Sequence, residues 1–172
     1  MLKGLLMKLL DILIIGAGLY VSGKGTQGYG TVLPAVFEWE RVNRDIGNLH
    51  CASTSSDSSK ELLAKFRELE VKTNIDISIK TYPETDSKNN EAYKEALKNC
   101  KKPACAIIVV PDHLHYKIAK DCLEAGVHTL IAKPLTPSYA EGEDLVNIAK
   151  NSRIYGAVEF HKRWDKSNIL LR

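Results

Sequence analysis

The chain has 172 residues, room for one α/β domain with a sizeable core. Its 44% hydrophobic and 26% charged residues are those of a soluble globular protein, and a net charge of +3 on scattered lysines argues against a nucleic-acid surface. No apolar run approaches the ~18 residues that a membrane-spanning helix needs.

Residues 1–10 (MLKGLLMKLL) imitate a signal peptide, but Lys8 and Asp11 interrupt the apolar run and no small-residue cleavage site follows. The segment is a lead into a first strand, residues 11–15 (DILII), a continuous apolar run suited to burial on both faces. Gly16-Ala17-Gly18 ends that strand and a glycine-rich stretch continues to Gly30. A helix is predicted over 31–40 with Thr31 as its cap. Residues 48–54 (NLHCAST) form a second strand, and after a Ser/Asp cluster a helix covers 59–69. Ile75, Ile77 and Ile79 alternate with polar residues, the period of a half-buried strand. A polar loop at 83–89 leads to a helix at 91–100.

Residues 104–110 (ACAIIVV) are the clearest buried strand. Asp112 caps the next helix, 113–125, and Gly126 closes it in a left-handed conformation. A strand at 127–132 follows, then a helix opened by Thr136-Pro137 and running to about Lys150, then a last strand at 154–160. Strands alternating with helices at this spacing imply an α/β fold: a Rossmann-type, doubly wound parallel sheet. The four cysteines, Cys51, Cys100, Cys105 and Cys122, form no CxxC pair and read as free thiols of a cytoplasmic protein.

In such sheets ligands bind beyond the carboxyl ends of the strands, so the loops there carry the chemistry. Gly16-Ala17-Gly18 supplies the first two glycines of a GxGxxG dinucleotide turn, which lets backbone approach a pyrophosphate. Val21 stands where the third glycine belongs, and Gly30 takes that role after an insertion. A rival is present: residues 18–24 match most of a P-loop, but Gly25 follows Lys24 where magnesium binding needs Ser or Thr. Asp112 would be the magnesium carboxylate of that nucleotide triphosphatase.

Beyond the second strand stand Ser53, Thr54, Ser55 and Ser56, where NAD enzymes usually place a ribose-binding acid. Hydroxyls tolerate a 2′-phosphate better than a carboxylate does, which favours NADP over NAD, although no arginine is near and Lys60 is distant. His113 and His115 point in different directions at a helix start, with no third ligand, so no metal is expected. His115 is placed near the cofactor. Lys133, beside Pro134 at a strand end, faces the ligand crevice and is suited to polarise an alcohol oxygen during hydride transfer.

Together these loops resemble the Gfo/Idh/MocA family (glucose–fructose oxidoreductase, inositol dehydrogenase). Residues 106–135 (AIIVVPDHLHYKIAKDCLEAGVHTLIAKPL) resemble its strand, "P-N-x-x-H" turn, helix and "EAGKHVLCEKPL" pattern. Residues 156–168 (GAVEFHKRWDKSN) are similar to the segment where the family's two domains join. The resemblance implies an oxidoreductase acting on a sugar, polyol or related hydroxy compound, with Lys133 catalytic. It places the nicotinamide dinucleotide against Gly16, Ala17, Gly18, Gly30, Ser53, Thr54, Pro111, Asp112, His115 and Lys133, with Arg163 near the nicotinamide or substrate. Ala132 departs from the motif's cofactor-contacting glutamate. The implied partition is a cofactor domain at 1–157 and, at 158–172, the truncated start of a second α/β domain that carries substrate and homo-oligomer contacts. A chain so divided is expected to bind cofactor, to be inactive alone and to expose apolar surface. The alternative is a nucleotide-binding sensor that keeps the fold without catalysis.

Overall fold

The alternation of apolar runs and amphipathic segments builds one six-stranded parallel sheet. The computed structural model describes residues 9–85 and 88–171. The strands are β1 (Leu10–Ile15), β2 (Ile46–Ala52), β3 (Ile79–Tyr82), β4 (Ala104–Ile108), β5 (His128–Ala132) and β6 (Gly156–Glu159), in the order β3-β2-β1-β4-β5-β6. The helices are α1 (Leu19–Ser22), α2 (Val32–Asn43), α3 (Ser56–Thr73), α4 (Ala92–Asn99), α5 (His115–Glu124), α6 (Tyr139–Ser152) and α7 (Lys166–Leu170). Strand order reverses between β1 and β4, and a crevice opens there beyond the carboxyl ends.

Alternation along β1 makes two cores. Ile12 and Ile14 face α2 and α3, with Leu33, Phe37, Leu62 and Phe66; Leu13 and Ile15 face α4, α5 and α6, with Ala96, Ile118, Cys122 and Leu145. The Phe37 and Phe66 rings meet at 5.0 Å and 49°, a tilted pair worth about 0.5–1.5 kcal/mol beyond its buried area. At the amino ends of the strands Asp11 is buried and accepts from the Asn48 amide (3.0 Å) and the Lys101 amide (2.8 Å). His50 lies 3.5 Å from the same carboxylate, and its Nδ1 is 3.2 Å from the Tyr82 hydroxyl.

Several elements differ from the sequence reading. The stretch after Gly18 is not all loop: α1 makes one turn, with Val21 fully buried. Thr31 gives α2 no side-chain cap; its amide donates instead to the Tyr20 carbonyl at 2.7 Å. α3 begins at Ser56, because Ser55 accepts from the Ser58 amide, so the serine cluster is helix start rather than loop. Of the three alternating isoleucines only Ile79 lies in a strand; Ile77 is buried in the core beneath it. Asp112 does not cap α5 but opens a 3₁₀ turn, Asp112–Leu114. α6 starts at Tyr139, the Thr136 hydroxyl being used on the Ser138 carbonyl (2.7 Å). Gly126 has φ 72, and amides 126 and 127 donate to the carbonyls of Leu123 and Cys122, the predicted left-handed stop. β6 carries the sheet to Glu159, two residues past the boundary drawn from the sequence. Residues 1–8 of the N-terminal lead lie outside the described residues.

Candidate functional site

A cavity of about 330 Å³ opens at the reversal of strand order. Its walls are the Gly16-Ala17-Gly18 turn after β1, Ser53 and Thr54 after β2, and Val109, Val110 and Pro111 after β4. Lys24, Ser58, Asn90 and Tyr93 also line it, over an apolar floor that includes Ile15, Ala52 and Ile118. Each glycine of the turn has a different reason to lack a side chain. Gly16 has φ 118, and a Cβ there would fall on the Val109 carbonyl, so the fold itself requires glycine. Gly18 has φ −78, open to any residue, and nothing stands within 4 Å of where its Cβ would be. The packing leaves Gly18 free, and its bare backbone faces the cavity. That combination is the fit a pyrophosphate requires of a dinucleotide turn.

Of the residues predicted from the sequence, the cavity gathers Gly16, Ala17, Gly18, Ser53, Thr54 and Pro111. Ser53 lies in its wall, but its hydroxyl is held by the Ser55 carbonyl (2.7 Å) and the Ser59 hydroxyl (2.8 Å), which shapes the loop. Thr54 is exposed at the rim. Gly30 is not among the lining residues. Its φ is 69, and a Cβ there would meet the Leu19 and Tyr20 carbonyls at 2.7 Å, so it permits close packing on α1. Asp112 is exposed outside the lining, and Arg163 is exposed with its guanidinium 4.8 Å above the Phe160 ring.

His115 is corrected most sharply. It is fully buried and does not face the cavity. Its Nε2 lies 3.0 Å from the Val110 carbonyl and its Nδ1 2.7 Å from the Pro134 carbonyl. The ring ties the end of β4 to the turn that carries Lys133. Lys133 itself is exposed just beyond the carboxyl end of β5 and, contrary to the expectation that it faces the crevice, is not among the residues lining either this cavity or the neighbouring groove. Ala132 pairs with Glu159 across β5 and β6, so that carboxylate stands beside the Lys133 turn. Glu159 lies 3.4 Å from His161 Nδ1 and lines the same opening as Tyr20 of α1. Burial first, then the Glu159 charge, raises the Tyr20 phenol above its ordinary pKa.

Tyr20, Ala132 and Glu159 sit at one end of a second opening, an apolar groove of about 450 Å³. It runs between α2 and the face of β4 and β5 that shows Cys105, Ile107, Val109 and Leu130. No helix of the described residues covers that face, and Trp39 is 48% exposed at its side. Val109 lines both openings, so they meet at the end of β4.

A model of the Gfo/Idh/MocA oxidoreductase family, with its NAD-binding Rossmann fold, matches residues 10–160. The chain belongs to the Gfo/Idh/MocA family. Its similarity to curated relatives is concentrated in shorter segments. An uncharacterised oxidoreductase of Schizosaccharomyces pombe is 36% identical over 59 residues, 34% of this chain and 16% of that protein. The NADP-dependent scyllo-inositol 2-dehydrogenase of Bacillus subtilis is 32% identical over 72 residues, 41% of this chain and 20% of that protein. An NAD-binding oxidoreductase structure from Klebsiella pneumoniae superposes with a TM-score of 0.64 at 17% identity, over 94% of this chain and 37% of that one. This chain therefore spans well under half the length of the proteins it matches.

In this Gfo/Idh/MocA chain the sequence reading missed Lys24, Ser58, Asn90 and Tyr93 as cavity residues. Lys24 carried a signal, the P-loop likeness, but α2 starts at Val32 rather than at that lysine. Tyr20, Glu159 and His161 carried none, because four strands, β2 to β5, lie between Tyr20 and the other two in the sequence. The thiols take no part: burial pushes Cys105 to about 11 and Cys51 and Cys122 higher still, leaving them protonated at neutral pH. Among the described residues, no group of His, Cys, Asp and Glu is arranged to hold a metal ion, and no helix is long and apolar enough to cross a membrane.

Proposed function

We propose that this domain binds a nicotinamide dinucleotide across the carboxyl ends of its strands and serves hydride transfer to or from a sugar, polyol or related hydroxy compound. The observation that carries the proposal is Gly18, open to a side chain yet bare, in the wall of the cavity at the strand-order reversal. Gly16 to Gly18 would hold the pyrophosphate, and Ser53 and Thr54 the adenosine ribose. Pro111 lies in the same wall. Among the described residues no carboxylate lines the cavity beyond β2, a feature that favours NADP over NAD. The cofactor, when bound, supplies or accepts hydride.

Lys133 would donate a hydrogen bond to the reacting oxygen and stabilise the negative charge that develops there. His115 keeps its turn in place from below. The inositol dehydrogenase relative supports a polyol-type substrate. Substrate contacts, the partition at residues 157–158 and any homo-oligomer belong to the proposal for the whole protein. A sensor without catalysis is the second reading, favoured by Ala132 where the family motif has glutamate. Titration of NADH and NADPH against the fluorescence of Trp39 and Trp164 tests the binding claim. Saturable one-to-one binding is expected, and absence of binding by both cofactors overturns it. Loss of turnover in Lys133→Met, with cofactor affinity kept, separates enzyme from sensor in the whole protein.

A further inference from the structure

Between Gly23 and Gly30 lies an inserted segment whose contribution to the cavity wall is Lys24. Its contacts form a regular series along α3. Lys24 Nζ donates to Ser58 Oγ (2.8 Å), and the Gly25 amide donates to Glu61 Oε1 (3.0 Å). Lys65 Nζ donates to the Thr26 carbonyl (3.0 Å), and the Tyr29 hydroxyl donates to Glu68 Oε2 (2.9 Å). Lys72 bonds the same Tyr29 hydroxyl, and Lys65 and Lys72 stand 5.3 and 4.5 Å from the Tyr29 ring centroid. Ser58, Glu61, Lys65, Glu68 and Lys72 are spaced three and four apart, so they form one stripe of α3. The insertion is a strap fastened along that stripe.

The fastening has a chemical result. It delivers Lys24 and Ser58 to the wall of the dinucleotide cavity, beside Ser53 and Thr54. The ammonium there has a hydroxyl partner at 2.8 Å and a carboxylate, Glu61, at the longer distance of 3.8 Å. A dianionic phosphate entering beside Ser58 would be a stronger partner than this exposed carboxylate. The loop after β2, which usually chooses between the two cofactors, has hydroxyls and no cation in the cavity wall.

We infer that Lys24, presented by the strap, is the cation that recognises a phosphomonoester on the adenosine ribose, so that the glycine-rich insertion sets a preference for NADP over NAD. The inference rests on the proposed function and deepens it at one end of the same cavity. It also gives the P-loop-like lysine a role: phosphate binding without a P-loop.

The phosphate at Lys24 has two sources within one cofactor, the 2′-phosphate and the pyrophosphate, and NADPH and NADH tell them apart. Dissociation constants of both are measured by fluorescence for the wild-type chain, Lys24→Met and Lys24→Arg, with thermal unfolding to confirm that each variant is folded. The wild-type chain binds NADPH about ten- to a hundredfold more tightly than NADH, the usual worth of a charged hydrogen bond. Lys24→Met brings that ratio to within about threefold of one by weakening NADPH alone, and Lys24→Arg retains most of it. An equal loss for both cofactors would place the lysine on the pyrophosphate and overturn the inference, as would a wild-type preference for NADH. If the wild-type chain binds neither cofactor, the proposed function fails and the inference with it. If it binds both and Lys24→Met changes nothing, the inference alone fails.

Discussion

Gly18→Ala separates what the fold needs from what the ligand needs. Position 18 has φ −78, ordinary for alanine, and no atom stands within 4 Å of the added methyl. Removing a glycine from the unfolded chain stabilises by about 0.4–1 kcal/mol. Gly18 is also the residue before α1, where alanine caps less well than glycine, a cost of about 0.5 kcal/mol. The two nearly cancel, and for a domain of this size the melting temperature should move by less than about 2 °C. Cofactor binding should behave differently, because the methyl occupies the space that lets backbone approach the pyrophosphate. A loss of at least about tenfold in NADPH affinity is expected, equivalent to about 1.4 kcal/mol. Gly16→Ala is the opposite control. Its φ is 118 and its Cβ would strike the Val109 carbonyl, so a destabilisation on the order of 3 kcal/mol is expected. Calorimetry and fluorescence titration of the two variants give both readouts. A Gly18→Ala protein that binds NADPH like the wild type would refute the assignment of the turn. One that melts more than about 5 °C lower would refute the claim that the position is free.

His115→Leu removes the one ring N–H that a neutral imidazole can give to the Val110 or Pro134 carbonyl and should cost about 1–3 kcal/mol in urea unfolding; a cost under about 0.5 kcal/mol would mean that the ring does not tie the two turns. His50 has its pKa lowered by burial, against the pull of Asp11, so the unfolded chain binds the extra proton first. Stability should therefore be full above about pH 6.5 and fall as pH drops below it toward the lowered folded value, and His50→Phe should flatten that slope in chemical denaturation. Glu159→Gln removes a neighbouring negative charge and should lower the Tyr20 titration midpoint, followed by the ring carbon shifts; an unchanged midpoint would dissolve the Tyr20–Glu159 link.

Much of the sheet was legible because strands covered on both faces are continuous apolar runs. Residues 11–15 and 104–110 stand out from everything around them, although β4 itself ends at Ile108. Helix ends were read too early for one repeated reason. Arg44, Asn74 and Arg153 close α2, α3 and α6 with φ of 54–55, where glycine is the usual signal. The stop at Gly126 carried that signal and was placed correctly. In the site, the turn glycines and the loops after β2 and β4 were legible because chain order fixes where strand ends point. His115 was not: its position in the motif suggests a ligand contact, while its burial and its two carbonyl partners depend on Pro134, nineteen residues on. The strap was illegible for the same reason, since its partners lie on α3, 34 to 43 residues away in the chain.

The most direct test of the central claim is a map of amide shifts when NADPH is added to isotopically labelled protein. Shifts concentrated at Gly16 to Gly18, Ser53, Thr54, Val109 and Val110 are the predicted result. Shifts confined to other surfaces, or produced around Lys24 by magnesium ATP and not by either nicotinamide cofactor, would contradict it.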